Sequence, residues 1–357
     1  MVADTPPPAL AERAHAIAAA LITELTHHPG ASVAQIAGLL TLHTGELADL
    51  IRSAAADTGG PLVYQVGAGM AADLLADFEG RRIAATSNGG IVGARSGLSH
   101  LDETLNGLEA GKLYVLAAMP GAGKTTLALQ IAATVAQAGR PALYLSLEND
   151  HTDLARKCAC RLGNVSYAAA LKGKLTPAAW QVAVGRLVEL GGRLYLATPR
   201  EAIPDLGDLV ETVKLKAGEP PALIVIDYLQ AWVKRAAGPD ADLRSHIDRF
   251  TPALRALGER HGCAVLAISS QNRAGYQSGG MASLKESGDI EYSSDVTMVL
   301  ARAAEKADRS GAPVGPSLPP GVSAVSLTVE KNRQGLTGKP LWLALHGDRC
   351  MIQEVVA

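Results

Sequence analysis

The segment AAMPGAGKTT at residues 117–126 constrains the fold of this chain more than any other stretch of the sequence. It follows the apolar run KLYVLAA, which is typical of a buried strand, and it leads into GKTTLALQIAATVAQA, which has the spacing of a helix. A strand, a glycine-rich turn and a helix in this order surround a phosphate with backbone N–H groups and a helix N-terminus. Ala118 stands where the usual pattern G-x-x-x-x-G-K-[ST] has its first glycine. The flanking elements nevertheless indicate a nucleotide site.

Four residues of this loop have expected roles in nucleotide binding. Gly121 and Gly123 let the backbone turn tightly and approach the phosphate oxygens. Lys124 is expected to reach the β- and γ-phosphates of ATP, and the Thr125 hydroxyl to ligate Mg²⁺. The predicted ATP-binding residues are Pro120, Gly121, Ala122, Gly123, Lys124, Thr125, Thr126 and Asp227.

Short apolar or β-branched runs alternate with helical stretches along the rest of the chain. This alternation predicts an α/β fold with a mostly parallel, twisted sheet and helices on both faces. The predicted strands are Leu113–Ala118, Ala142–Ser146, Arg193–Leu196, Leu223–Ile226 and Ala264–Ile268.

Polar residues end three of these strands, at the edge where ligands of parallel sheets bind. A carboxylate at Glu148 can polarise the attacking water, although the position also suits a surface or capping residue. Asp227 follows five apolar residues and is expected to hold Mg²⁺ through water, together with Thr125. Ser270 and Gln271 are suited to sense a γ-phosphate, and a plain loop start is the alternative.

The amino-acid composition limits the classes of partner that the chain is expected to bind. The chain has 33 Lys+Arg against 35 Asp+Glu and only 4% aromatic residues, so contacts with nucleic acid would have to come from local loops. The start of the chain does not resemble a signal peptide, and no apolar run approaches the ~18–20 residues that span a bilayer. The four cysteines lack zinc-site spacing and are expected to be reduced. We therefore expect a cytoplasmic protein without a membrane partner.

The chain divides into four predicted regions. They are a Pro-rich tail (1–8), a winged-helix-like unit of three helices and a hairpin (9–80), a linker (81–95) and an ATPase domain (96–357). The third helix of the small unit is acidic, which favours a packing or partner-binding role over DNA binding.

The ATPase region resembles the DnaB-type replicative helicases. The resemblance rests on SGLSHLDETLNGLEAGKLYVLAAMPGAGKTTLALQIA and on the later blocks LYLSLEN, LIVIDYLQ, ISSQNR, LKESGDIEYSSDV and EKNRQGLTG, which occur in the family's order. In that family the phosphate loop also opens with alanine. The resemblance implies a RecA-like core in a hexameric ring that hydrolyses ATP and moves on single-stranded DNA.

The resemblance also implies roles for individual residues. Glu148 matches the catalytic base and Asp227 the Mg²⁺-shell aspartate. Lys331 and Arg333 match the catalytic pair that reaches the neighbouring subunit's ATP. The residues implied in DNA binding are Arg273, Lys285, Glu286 and Gly288.

Two departures from the family keep other functions open. The winged-helix-like unit stands where the family has a helical collar, and the sensor block reads Ser269–Ser270 with glutamine one residue later. The unit at 9–80 could recruit a loading protein or primase. The alternatives are a KaiC- or RadA-like regulatory ATPase that does not unwind DNA, and a DNA-binding initiator controlled by ATP.

Overall fold

A computed structural model describes residues 68–199, 205–237, 243–270, 293–303, 315–337 and 340–355. The chain separates into two compact units, Met1–Ser87 and Asn88–Ala357. The described part of the first unit is helix α1 (Ala68–Ser87). Most of the predicted winged-helix-like unit therefore lies outside the described residues, and its composition of three helices and a hairpin stays a prediction.

The predicted linker at 81–95 is wrong in its extent. Residues 81–87 belong to α1, and because this helix begins at Ala68 it also includes the last two residues of the segment GGPLVYQVGAG (59–69), which was predicted to form the hairpin. Beyond the division after Ser87, Ile91 and Ala94 are buried in the second unit. The two glycines after Asn88 do end the helix, since both have positive φ (59° and 88°).

The start of the second unit packs tightly before the first strand. Ala94 and Leu108 exchange backbone hydrogen bonds of 2.9 and 2.8 Å across helix α2 (Ser99–Leu105). Gly93 lies so close that an added Cβ would stand 2.5 Å from the backbone carbon of Leu108. The approach of the two backbones therefore requires glycine at this position.

The described residues of the second unit form a sheet of nine strands. The strands are β1 (Leu113–Ala118), β2 (Ala142–Ser146), β3 (Leu194–Ala197), β4 (Leu223–Asp227), β5 (Ala264–Ser270), β6 (Val296–Arg302), β7 (Ser323–Asn332), β8 (Leu341–His346) and β9 (Met351–Glu354). Their order in the sheet is β3-β2-β4-β5-β1-β6-β7-β8-β9. The six strands from β3 to β6 are parallel, and the last three pairings are antiparallel. The predicted mostly parallel α/β fold is confirmed.

Helices cover both faces of the sheet. Strand β1 shows this, because its successive side chains pack against different sets of helices. The helices described in this unit after α2 are α3 (Lys124–Gln137), α4 (His151–Gly163), α5 (Tyr167–Leu171), α6 (Pro177–Val188), α7 (Leu206–Ala217), α8 (Leu229–Ala237) and α9 (Leu243–His261). Tyr114 and Leu116 belong to one buried cluster together with residues of α3 and α4, whereas Val115 belongs to a second cluster with residues of α7, α8 and α9.

The antiparallel end of the sheet closes against α3. The buried Gln130 side chain donates to the Ile352 carbonyl (2.8 Å) and accepts from the Ile352 N–H (2.9 Å). A short 3-10 helix, Gly347–Arg349, joins β8 to β9. Strand β9 is thereby fixed to the helix that follows the glycine-rich loop.

All four cysteines are free and buried, in agreement with the expectation of reduced thiols. Burial raises the pKa of Cys158 and of Cys263 to about 11. Within the described ranges, no helix is both long enough and apolar enough to cross a bilayer.

Candidate nucleotide site

The glycine-rich loop connects the end of β1 to the start of α3. Gly121 and Gly123 have φ of 78° and 100°, values that other residues rarely adopt. Gly123 is the N-cap of α3, and Ala122 N donates to the Met119 carbonyl at 3.2 Å. The N–H groups of the first helical turn therefore lie at the mouth of the loop, where an anion is stabilised.

Lys124 is held across the loop by backbone carbonyls. Its Nζ donates to the carbonyls of Ala118 (2.7 Å) and Met119 (3.0 Å). Burial lowers the pKa of Lys124, and the negative charges of Asp227 and Glu148 act in the opposite direction. Ala118 is the last residue of β1 and does not have the positive φ that would require a glycine at the first position of the loop.

Asp227 joins the loop to the end of β4. Its Oδ2 accepts hydrogen bonds from the Thr125 hydroxyl (2.9 Å) and from the Tyr144 hydroxyl of β2 (2.7 Å). Burial raises the pKa of Asp227, which these two donors partly counteract. The pKa of the fully buried Tyr144 is raised well above its usual value by burial first and by Asp227 second, so its hydroxyl stays a donor. Tyr144 is a residue of the site that the sequence did not indicate.

Glu148 lies in the turn after β2 and lines the same pocket. The turn is fixed to β4 because Leu147 N donates to the Asp227 carbonyl at 2.9 Å. The Glu148 side chain is exposed, so water can reach its carboxylate. Its position in the pocket agrees with the role of a base, which stays a prediction.

The end of β5 contributes Ser270 to the pocket. Gln230 of α8 holds this end, since its amide donates to the Ser269 hydroxyl (2.8 Å) and accepts from Ser270 N (3.2 Å). Gln230 lies three residues after Asp227, so it couples the ends of β4 and β5. The predicted sensor residue Gln271 lies outside the described residues.

The loop and the strand ends on both sides of β1 enclose a cavity of about 460 Å³. Arg302 ends β6 and donates to the Gly121 carbonyl at 2.8 Å. Arg302, Leu345 and Gly347 come from the antiparallel side of the sheet and were not expected from the sequence. The full lining is Pro120, Gly121, Gly123, Lys124, Thr125, Thr126, Glu148, Asp227, Tyr228, Ser270, Arg302, Leu345 and Gly347.

The residues of the pocket fit a nucleotide with Mg²⁺. The backbone N–H groups and Lys124 match phosphate oxygens, and the adjacent hydroxyl and carboxylate of Thr125 and Asp227 are hard oxygen donors of the kind that Mg²⁺ prefers. Within the described residues no cluster of three or more His, Cys, Asp or Glu could hold a metal. A site made of two protein oxygens and substrate phosphates is the usual arrangement for Mg²⁺.

Lys331 and Arg333 lie far from this pocket, at the other edge of the sheet. Arg333 N donates to the Asp295 carbonyl (3.0 Å), and its guanidinium lies 3.8 Å from the Asp295 carboxylate. Asp295 in turn accepts from the N–H of Leu113, the first residue of β1, at 2.9 Å. Lys331 Nζ donates to the Ser294 carbonyl at 2.7 Å. The six residues of β1 separate this edge from the loop by about 17 Å.

The predicted DNA-binding residues Arg273, Lys285, Glu286 and Gly288 lie outside the described residues. The structure therefore does not test them. Arg333 itself is described and lies in the turn between β7 and β8.

The comparisons with known proteins agree with this geometry. The profile of the family described as "DnaB-like helicase C terminal domain" matches residues 93–345. The replicative DNA helicase DnaB of Geobacillus stearothermophilus is 30% identical over 224 residues, covering 60% of this chain and 48% of that protein. The DnaB of Leifsonia xyli subsp. xyli is 28% identical over 271 residues, covering 73% and 55%. This chain thus spans about half the length of these relatives.

Two solved structures share the fold. One is an isolated ATPase domain with a TM-score of 0.67 at 19% identity, covering 82% of this chain and 100% of that one. A DnaB-like replicative helicase, described with its interactions with primase, has a TM-score of 0.66 at 17% identity, covering 97% and 76%. The predicted RecA-like ATPase fold is confirmed. Because the family profile covers well over half of the sequence, the chain belongs to the DnaB-like helicase C-terminal domain family.

Proposed function

We propose that this chain is a DnaB-type motor that hydrolyses ATP at the subunit interfaces of a hexameric ring and uses the energy to move on single-stranded DNA during replication. One observation carries the proposal. Lys124, Thr125, Glu148 and Asp227, which come from the loop and from the ends of β2 and β4, line a single pocket of suitable size and charge.

The proposed binding step uses the loop. The N–H groups at the start of α3 and the Lys124 ammonium neutralise the β- and γ-phosphates of ATP. Thr125 and Asp227 would hold Mg²⁺, and the hydrogen bond from the Tyr144 hydroxyl keeps the Asp227 carboxylate oriented. The chemistry that Mg²⁺ supplies when bound is neutralisation of phosphate charge.

The proposed chemical step uses Glu148. Its carboxylate accepts a proton from the water that attacks the γ-phosphorus, and the bond from that phosphorus to the leaving β-phosphate oxygen breaks. The exposed position of Glu148 at the rim of the pocket supports this role. Ser270, held by Gln230, lines the same pocket and is proposed to sense the γ-phosphate.

The proposed site is completed by a second copy of the chain. Lys331 and Arg333 belong to the edge of the sheet that is about 17 Å from their own loop, so they would act on the ATP of a neighbouring subunit. A cation supplied in this way stabilises charge that develops in the transition state. This division of the site is the reason for proposing a ring.

The remaining partners are proposed from the relatives. One similar structure is described with its interactions with primase, and we propose residues 9–80 as the contact for primase or for a loading protein. Contacts with DNA through Arg273, Lys285, Glu286 and Gly288, and a cytoplasmic location, stay predictions from the sequence.

A paired measurement tests the proposal. We expect single-stranded DNA to stimulate ATP hydrolysis by the full-length chain, and a non-hydrolysable ATP analogue to shift its particle mass to that of a ring. Strand separation on a forked duplex then distinguishes an unwinding motor from a translocase. Hydrolysis that is insensitive to DNA, in a protein that still forms rings, would favour the regulatory ATPase instead.

A further inference from the structure

The turn that carries Glu148 is fastened by the residue beside it. Asn149 N donates to the Ser146 hydroxyl (2.9 Å), and Asn149 Oδ1 accepts from Lys157 Nζ of α4 (3.1 Å). Asn149 is partly buried, whereas Glu148 is exposed. The backbone of the turn is thus fixed from both sides, while the carboxylate of Glu148 lines the pocket.

Lys157 is itself held in place by its neighbours. Its ammonium lies 2.7 Å from Asp153 Oδ2 and 5.9 Å from the centre of the Tyr167 ring, and its side chain is only 21% exposed. The Tyr167 hydroxyl donates to Asp153 Oδ1. Because Lys157 is already fixed by these contacts, its ammonium can hold the side chain of Asn149 with little further loss of side-chain entropy.

The neutrality of Asn149 is important for the chemistry. An ammonium paired directly with a general base would favour its charged form and make it a poorer acceptor of a proton. An amide placed between the cation and the turn transmits position but adds no charge beside Glu148. The hydrogen bond between Lys157 and Asn149 can therefore orient Glu148 without placing a positive charge against its carboxylate.

We propose that Lys157 and Asn149 are positioning residues for Glu148, so that their hydrogen bond keeps the carboxylate directed at the attacking water. This inference rests on the proposed function, because it presumes that Glu148 is the base. Neither residue lines the pocket, so their contribution concerns the chemical step and not the binding of the nucleotide.

Steady-state ATP hydrolysis and nucleotide binding by the full-length chain test the proposal. Lys157→Met and Asn149→Ala should each lower kcat by about 10- to 100-fold, as small misplacements of a catalytic group do, with KM and the Kd of ATP nearly unchanged. Lys157→Arg should recover much of the rate because a guanidinium can also donate to the amide. Lys214→Met, which removes a lysine paired with Glu211 on the exposed face of α7, is the matched control and should leave both constants unchanged.

A double-mutant comparison separates the contact from its surroundings. Lys157→Met combined with Asn149→Ala should be no slower than either single variant, since one hydrogen bond is lost in each case. In a Glu148→Gln background, Lys157→Met should have no further effect.

Three contrary outcomes can be told apart. Wild-type kcat in Asn149→Ala overturns the positioning role, even if Lys157→Met does not fold. Wild-type hydrolysis by Glu148→Gln overturns the proposed base itself. Equal loss of kcat and of ATP affinity, with a lower Tm, would make Lys157 a merely structural residue.

Discussion

The two edges of the sheet carry complementary halves of one proposed site. At the carboxyl ends of the parallel strands, Lys124, Asp227 and Glu148 surround a cavity. At the opposite edge, Arg333 is half-exposed (40%) and is fastened through Asp295 to the start of β1. The first edge carries the residues proposed to bind the nucleotide, whereas Lys331 and Arg333 at the second lie about 17 Å from the loop of their own chain. Nucleotide binding and ATP hydrolysis should therefore be separable by mutation.

Arg333→Ala should have the largest effect on hydrolysis if the second edge completes a neighbour's site. ATP affinity should stay near wild type, while kcat falls by ~10³–10⁵, as for arginines that act across an interface. Arg255→Ala is the matched control, because Arg255 also lies beside Asp295 (3.5 Å) and has nearly the same exposure. Nucleotide binding and phosphate release measure the two quantities.

A mixture of the Arg333→Ala and Glu148→Gln variants tests the same assignment of Arg333. A ring that contains both Arg333→Ala and Glu148→Gln subunits has some interfaces with an intact Glu148 and an intact Arg333. We expect partial recovery of hydrolysis on mixing. Absence of recovery, with subunit exchange demonstrated, would show that Arg333 does not act on the ATP of a neighbouring subunit.

Glu148→Gln should affect the first edge alone. ATP should still bind, because the loop and Asp227 are intact, whereas kcat should fall by ~10²–10⁴ with the loss of the base. Glu189→Gln, at an exposed ion pair with Arg186, provides a control of the same chemistry. Wild-type turnover in Glu148→Gln would contradict the assignment.

Asp295→Ala should reduce stability without reducing ATP affinity. The substitution leaves the buried Leu113 N–H without its carboxylate acceptor, which costs about 1–3 kcal/mol of the free energy of unfolding. Asp295→Asn retains an oxygen at this position and should cost less. Urea unfolding monitored by circular dichroism, with ATP binding measured in parallel, checks whether the second edge is fastened independently of the first.

The smallest effect is expected at the pair of His100 with Glu354 at the end of β9. The side-chain hydrogen bond with Glu354, and then its charge, raise the pKa of His100 above 6.5. Stability from this pair is therefore fully present below the unfolded pKa and is lost as pH rises through the raised folded value. The Tm difference between wild type and His100→Ala should shrink between about pH 5 and pH 8, and salt should weaken it. An unchanged difference over this range would show that the pair contributes no charge interaction.

Strand positions were the most predictable part of the fold. The bounds of β1 and β2 agree with the prediction residue for residue, because uninterrupted apolar runs end there in a turn or a polar residue. The prediction failed at residues 81–87, where polar residues before two glycines resembled a linker although the helix continues to Ser87.

The site was predictable where a polar residue stands at, or just after, the end of a buried parallel strand. Asp227 and Glu148 occupy such positions. Arg302, the charged last residue of β6, also does and could have been found in the same way. Tyr144 and Gln230 could not, because one lies inside an apolar strand and the other inside a helix. Their hydrogen bonds to Asp227 and to the end of β5 depend on strands that are adjacent only in the folded sheet.

The amide of Gln130 has a further consequence for the outermost strand. Val355 N donates to the Trp342 carbonyl, so by the alternation of antiparallel pairing the N–H and C=O of Ile352 point away from β8. When the N–H and C=O groups of an outermost strand are unpaired, a strand of another chain can form hydrogen bonds with them. Gln130 occupies both groups at once, as a neighbouring backbone would. Both backbone groups of Ile352 are therefore already paired and are not open to pairing with a strand of another chain.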